Sequence, residues 1–334
     1  MVSIGQVMNY QAFVVSETPS GEFISEIKQK DVNELPQGDL LIKVSHSSVN
    51  FKDALSFSGN KGVTQSYPHT PGIDAAGEVI ESSSKEFPVG CKVLVTGYDL
   101  GMNTSGGFGE YIRVPASWVI KRRDDLSPEL AMAWGTAGLT AALCVDKLIS
   151  QSNLSDKPIV VTGSSGGVGS IAIRLLVKLG FDVHGVTSKS SQVEEIKKLD
   201  ASKVYLLDEF LDDSKRPMLK PEFSAAIDVA GGNVLETLLK KVDYQGAIAC
   251  CGLVASPKLV TSVFPFILRD ISLLGVDSVE LPLQRKQAMW DKIANEWSLD
   301  NLLTECKIIR KEELSSVMTD MLAGKTSGRY ILAH

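Results

Sequence analysis

Few residues in this 334-residue chain can hold a metal or form a crosslink. It has five cysteines (Cys91, Cys144, Cys250, Cys251 and Cys306), none at C-x-x-C spacing, and four scattered histidines (His46, His69, His184 and His334). That supply argues against a disulfide framework and against a zinc site. Cys250 and Cys251 are adjacent, where a disulfide would be strained, and read as small apolar residues of a buried strand, Ala247–Cys251. Positive charge is short as well. The 34 basic and 40 acidic side chains leave a net charge of −6, with no basic stripe to track nucleic acid or an anionic membrane. The longest uncharged apolar-rich run, Ala131 to Val145, falls short of the roughly 18 residues that a spanning helix needs. Met1 to Val15 lacks the basic start and apolar core of a signal peptide, so a cytoplasmic location is expected. No internal repeat or low-complexity tract is visible.

What is present is an ordinary globular composition, 44% hydrophobic and 22% charged, in a chain too long for one core of usual size. Two domains are therefore expected. The first 128 or so residues read as short strands punctuated by Gly and Pro: Leu40–Val44, Ala75–Val79, Lys92–Val95 and Glu110–Val114. From Pro128 the pattern changes. A long apolar helix, Ala131 to Ile149, is interrupted by Gly135 and Gly138. Strands and helices then alternate over 159–162, 170–179, 182–187, 192–199, 204–206, 225–229, 233–242 and 246–251, the signature of a doubly wound parallel sheet. Ile271–Val276 supplies a candidate last strand. In the tail, Lys311–Leu322 carries Leu314, Val317, Met318, Met321 and Leu322 on one helical face, a stripe that fits core packing better than a binding groove. The tail is expected to fold back on the first domain.

The most informative stretch is Val160 to Gly169, a β-branched strand running into Gly163-Ser164-Ser165-Gly166-Gly167-Val168-Gly169 and then a helix. Such a turn lets backbone approach a pyrophosphate and aims helix N–H groups at it, although a glycine-rich turn can also be only a turn. The first glycine of the G-x-G-x-x-G pattern is Ser164 here. About twenty residues on, at the end of the next strand, an NAD site usually carries a carboxylate for the ribose. This chain has Thr187, Ser188 and Lys189 there, hydroxyls and a cation that suit a 2′-phosphate, so NADP is expected over NAD. The alternative for Lys189 is a solvated surface lysine.

Several words, taken together and in order, resemble one family. They are Ser48-Val49-Asn50-Phe51-Lys52-Asp53, His69-Thr70-Pro71-Gly72-Ile73-Asp74-Ala75-Ala76-Gly77, the glycine turn, Ala249-Cys250-Cys251-Gly252-Leu253, Pro265-Phe266-Ile267-Leu268-Arg269 and Gly275-Val276-Asp277-Ser278. They are similar to the zinc-free acryloyl-CoA reductase/quinone oxidoreductase family of the medium-chain dehydrogenase/reductase superfamily. The resemblance implies an α/β fold in two parts. A GroES-like β-rich catalytic domain would take 1–128 and 263–334, and an NADP-binding Rossmann domain 129–262. It also implies NADPH-dependent reduction of a conjugated C=C, with acryloyl-CoA as leading substrate and quinones or enones as the alternative, and no metal. Ser165, Gly166, Gly167 and Val168 would cradle the pyrophosphate, and Thr187, Ser188 and Lys189 the 2′-phosphate, with Arg216 as a second cation. Leu253, Ile267 and Ser278 would line the nicotinamide side, and Arg329 would reach the cofactor phosphates.

Hydride delivery to a β-carbon builds an enolate that must be stabilised and then protonated. Asn50 and Asp53, three apart, could share one face: Asn50 donating an amide hydrogen bond, Asp53 orienting it or relaying a proton if burial raises its pKa. Equally, the two could simply start a helix after the strand. Phe51 stands where the family usually has tyrosine. Its ring can be an aromatic wall beside the nicotinamide but has no proton to give. Lys52 could attract a CoA phosphate or be merely solvated. A homodimer is expected, because Leu273–Val279 could be an apolar edge strand that pairs across a two-fold axis.

Overall fold

The structure, a computed structural model, describes residues 8–299 and 301–334. Part of the Met1–Val15 stretch thus lies outside the described residues. The elements follow the alternation of turn and apolar run. In chain order they are β1 (Asn9–Glu17), β2 (Phe23–Asp31), β3 (Leu40–Val49), α1 (Phe51–Phe57), β4 (Asp74–Ser82), β5 (Lys92–Thr96), β6 (Tyr111–Val114), β7 (Val119–Lys121) and α2 (Pro128–Gln151). Next come β8 (Ile159–Thr162), α3 (Gly167–Lys178), β9 (Val183–Thr187), α4 (Val193–Lys197), β10 (Lys203–Leu206), α5 (Leu207–Phe210), β11 (Phe223–Asp228), α6 (Gly232–Lys241), β12 (Val242–Cys250), α7 (Phe264–Arg269) and β13 (Ser272–Gly275). The chain closes with α8 (Leu283–Ala294), β14 (Lys307–Ile309), α9 (Leu314–Leu322) and β15 (Tyr330–Ala333).

Two compact units result. Among the described residues the first comprises 8–136, 279–294 and 301–334; the second, 137–278 and 295–299. The boundaries differ from the expected 128/129 and 262/263, and the reason is hydrogen bonding. β13 pairs in parallel with β12 through Ala247↔Ser272 to Cys250↔Gly275, so the segment after 262 stays with the parallel sheet. The other shift comes from α2, which is two helices broken at Gly135, where φ is +49° and a side chain would be strained.

In the first unit β1 and β2 form a hairpin, and β14-β15-β3-β4-β5-β7 form a sheet with β6 on β3. One core of this unit gathers Leu40, Ile42, Val44, Val79, Val93, Val95 and Ile112, the inward positions of alternating strands. A second packs Phe13, Val49, Ala54 and Phe108 against Leu314, Met318 and Leu332 of the returning tail. Of the Met stripe, Leu314 and Met318 are core and Val317 and Met321 pack against it, while Leu322 at the helix end is exposed.

In the second unit six parallel strands run in the order β10-β9-β8-β11-β12-β13. The order reverses beside β8, so the loops after β8 and β11 flank the switch point where α/β sheets bind ligands. β13 ends the sheet as an edge strand. All five cysteines are free, and Cys250 and Cys251 are half-buried, less enclosed than a buried strand implies, because the chain leaves β12 there. Among the described residues no helix is long and apolar enough to cross a membrane.

Candidate functional site

In the second unit, Gly163 (φ +59°) turns the chain out of β8, and the Gly166 N–H closes the turn on the Gly163 carbonyl at 2.9 Å. α3 then begins with Gly167, Val168 and Gly169, the residues whose N–H groups have no partner within a helix. Gly169 is fixed by space: a Cβ there would lie 2.3 Å from the Gly163 carbonyl oxygen. Ser164, in the first-glycine position, is fully buried. Its hydroxyl donates to the Val161 carbonyl at 2.8 Å and accepts the Val186 N–H at 2.8 Å, stapling the turn to β9. Gly185 makes room for it, since a Cβ there would sit 2.9 Å from the Ser164 hydroxyl. The imperfect fingerprint is therefore a compensated one. The turn keeps the close helix approach and outward N–H groups that a pyrophosphate requires.

The neighbouring loop is tied to it. Asp228, buried at the end of β11, accepts from the Thr162 hydroxyl at 2.8 Å and from the N–H groups of Ala230 (3.3 Å) and Gly231 (2.8 Å). Burial raises its pKa and those three donors oppose the shift. Sequence reading passed over Asp228. A carboxylate closing an otherwise apolar strand and followed by Gly231-Gly232 was the available signal.

The structure brings Ser165 and Thr187 within 3.5 Å of each other through their hydroxyls, and the Thr187 hydroxyl accepts the Lys189 N–H at 3.1 Å. Ser188 is exposed and Lys189 half-buried, its pKa lowered by desolvation. Arg216 is exposed in the 211–222 loop. Leu253 and Ile267 are 62% and 68% exposed, a large apolar display for a surface loop and a short helix. Ser278 is buried, its hydroxyl 2.7 Å from that of Thr140, which limits what it offers a ligand.

In the first unit, Asn50 and Asp53 are together but engaged. The Asp53 carboxylate is fully buried and accepts the N–H groups of Asn50 (2.8 Å), Ile73 (2.9 Å) and Gly72 (3.2 Å). It starts α1 and anchors the 72–73 turn. Burial, with the Asp74 charge adding, pushes its pKa up to about 7 against those donors. The expected rise is present. A proton relay from Asp53 is not favoured, because it is fully buried and its carboxylate is taken up by backbone N–H groups and by Asn50.

Asn50 is engaged still more fully. Its amide nitrogen donates to Asp74 Oδ2 at 3.0 Å and to the Ser48 hydroxyl at 3.1 Å, while its carbonyl accepts from Arg329 at 3.3 Å. Both amide hydrogens are spent within the unit, so Asn50 does not present a donor outward. Arg329 is 4% exposed, and its remaining contacts are the carbonyls of Ala133 (2.9 Å) and Met132 (3.3 Å). The guanidinium thus braces the interior, an arrangement that replaces the expected reach to cofactor phosphates. Phe51, the next residue along, is 40% exposed. Lys52 Nζ lies 4.0 Å from the Met102 sulfur. Asp74, Thr136 and Ser48 complete the cluster and were missed as a group, for they meet only through the fold. Among the described residues no group of three or more His, Cys, Asp or Glu gathers as a metal site.

Residues 36–124 match the alcohol dehydrogenase GroES-like domain and 167–295 the zinc-binding dehydrogenase model. The chain is 34% identical over 325 residues to the acrylyl-CoA reductase AcuI of Ruegeria pomeroyi, covering 97% of this chain and 98% of the relative. It is 37% identical over 309 residues to Bacillus subtilis YhfP, provisionally named a quinone oxidoreductase (92% and 93% covered). The yhfP crystal structure with NAD bound superposes with a TM-score of 0.93 at 35% identity, over 98% of this chain and 100% of that one. Escherichia coli K-12 YhdH with bound NADPH gives 0.92 at 37% identity, over 97% and 99%.

Proposed function

Because the chain belongs to the medium-chain dehydrogenase/reductase superfamily, in the family of acryloyl-CoA reductases and quinone oxidoreductases, we propose that it is an NADPH-dependent oxidoreductase that reduces the conjugated C=C of an α,β-unsaturated acyl-CoA, acryloyl-CoA to propionyl-CoA above all. The observation that carries this reading is the end of β9, where Thr187, Ser188 and Lys189 stand in place of a carboxylate beside an open glycine turn. A carboxylate there would repel a 2′-phosphate; an ammonium and hydroxyls stabilise it.

When bound, NADPH supplies the hydride. The N–H groups of Gly167 and Val168, with Ser165 and Gly166 of the turn, hold its pyrophosphate. Lys189, Thr187 and Ser188 take the 2′-phosphate, with Arg216 as an outlying second cation. Exposed Leu253 and Ile267 offer apolar surface that excludes water from a nicotinamide, which strengthens the electrostatics of the reacting groups. Phe51 offers a ring and no proton, so the α-carbon of the substrate is protonated by another group or by solvent. That same lack favours the second reading, reduction of a quinone, whose two oxygens take protons readily from water.

NADPH oxidation, followed by its absorbance, separates the readings when acryloyl-CoA, crotonyl-CoA and a simple quinone are compared, with NADH as control. Turnover with NADPH that is fastest for acryloyl-CoA is expected. Turnover with the quinone alone would establish the second reading, and a preference for NADH would overturn the assignment of Lys189. The protein is further proposed to be cytoplasmic and a homodimer, its β13 edges pairing. Sedimentation at only the 36.0 kDa chain mass would exclude the dimer.

A further inference from the structure

We infer that Asp74 is a positioning residue for the reductase activity, acting within the first unit through Asn50, Thr136 and Arg329. The inference rests on the proposed reductase activity. Asp74 begins β4 and is fully buried. Four donors converge on its carboxylate: the hydroxyl of Ser48, the Asn50 amide at 3.0 Å, and the N–H and hydroxyl of Thr136 at 2.8 and 2.5 Å. The Arg329 guanidinium is close enough to interact with its charge. Gly135 is where they meet, for a Cβ there would fall 2.6 Å from the Ser48 hydroxyl, 2.7 Å from Asp74 Oδ2 and 2.8 Å from an Arg329 nitrogen.

The arrangement has a consequence for three chain segments. Asn50 is gripped at its N–H by Asp53 and at both ends of its amide by Asp74 and Arg329, so its rotamer and the direction of the next residue, Phe51, are set. The break in α2 at Gly135–Thr136 is set by the same carboxylate. The tail is set through Arg329. Only an anion satisfies this many donors at once. An amide in its place keeps a single acceptor oxygen and adds an NH2 among groups that already donate. A site held to within fractions of an ångström loses rate when such a support goes, while affinity for a cofactor anchored elsewhere need not change.

The test compares wild type with Asp74→Asn and Thr136→Val in the full chain. Three readings are taken: kcat with acryloyl-CoA, NADPH affinity, and the isotope effect from NADPH deuterated at the transferred position. Asp74→Asn is expected to lower kcat about tenfold or more per NADPH-binding site, and to raise the isotope effect as hydride transfer becomes rate-limiting, with affinity for NADPH held within about twofold. Thr136→Val, which removes one hydroxyl and keeps the N–H, should move the same readings less and serves where Asp74→Asn does not fold. A merely structural role would lower the folded fraction and leave kcat per binding site and the isotope effect unchanged, and that result in a variant that folds overturns the inference. A wild type that oxidises NADPH with neither acryloyl-CoA nor a quinone would fell the reductase reading itself, and this inference with it.

Discussion

The glycine turn after β8 and the Asn50 cluster handle polar groups in opposite ways. The turn leaves the N–H groups of a helix start without a side-chain cap, and its buried hydroxyl, Ser164, is used as a staple. The cluster turns everything inward: Asn50, Asp53, Asp74 and Arg329 bond one another, the hydroxyls of Ser48 and Thr136, or backbone, and each of the four is at least nine-tenths buried. The first is, on the proposed reading, a surface that receives an anion. The second is a scaffold made to hold its own backbone, and the exposed group that it delivers is the ring of Phe51. The difference teaches that two equally polar motifs in one chain can divide into binding and bracing, according to where their last free donors point.

The largest expected effect breaks the receiving side. Gly169→Ala places a methyl 2.3 Å from the Gly163 carbonyl oxygen, a backbone atom that cannot swing aside. The turn must open, and at least two charge-assisted hydrogen bonds to the pyrophosphate go with it. NADPH affinity should fall by about 100-fold or more, at roughly 1.5–3 kcal/mol per bond. Calorimetric titration checks this. Unchanged affinity would mean that the pyrophosphate is held elsewhere.

The bracing side can be sharpened by pH. Asp53 has a pKa of about 7 in the folded chain against 3.8 unfolded, so between those values the folded state holds a proton that the unfolded state has released. Stability from this group is therefore complete below pH 4 and is lost as pH rises to about 7, by about 4 kcal/mol in all at 1.36 kcal/mol per unit. Denaturant midpoints measured from pH 4.5 to 7.5 should show wild type losing stability relative to Asp53→Asn, which has no charge to desolvate. The variant starts lower, because its NH2 opposes one of the N–H groups that the carboxylate accepts. Parallel curves would show that Asp53 is ionised throughout.

The same contrast explains what could be read from the sequence. The turn, Thr187–Lys189, the alternation of β8 to β13 and the Met stripe of α9 depend on residues close in the chain, where spacing carries the physics. Asp74, Thr136 and Arg329 are separated from Asn50 by 24, 86 and 279 positions, and nothing local in any of them signals the others. Asn50 and Asp53 could be paired by their spacing, but the direction of their hydrogen bonds could not. Sheet order is likewise not local: Ile271–Val276 is visible as a strand, whereas its place beside β12 follows from the fold.

The smallest effect sharpens the receiving side residue by residue. Lys189→Ala should weaken NADPH by about 10- to 100-fold and leave NADH nearly unaffected, since a cation on a phosphate contributes roughly 1.5–3 kcal/mol and the 2′-hydroxyl of NADH makes no such bond. Lys189 is half-buried, and burial already lowers its pKa, so a phosphate beside it gains from a charge that water screens poorly. Arg216 is exposed on a loop. Its replacement by alanine should change NADPH affinity by less than about fivefold, the range of a solvent-screened pair. Steady-state KM values for both nucleotides in the two variants test the order. If Arg216→Ala proves the more damaging, the loop closes over the phosphate when nucleotide binds, and the cation that distinguishes NADPH from NADH is the distant one.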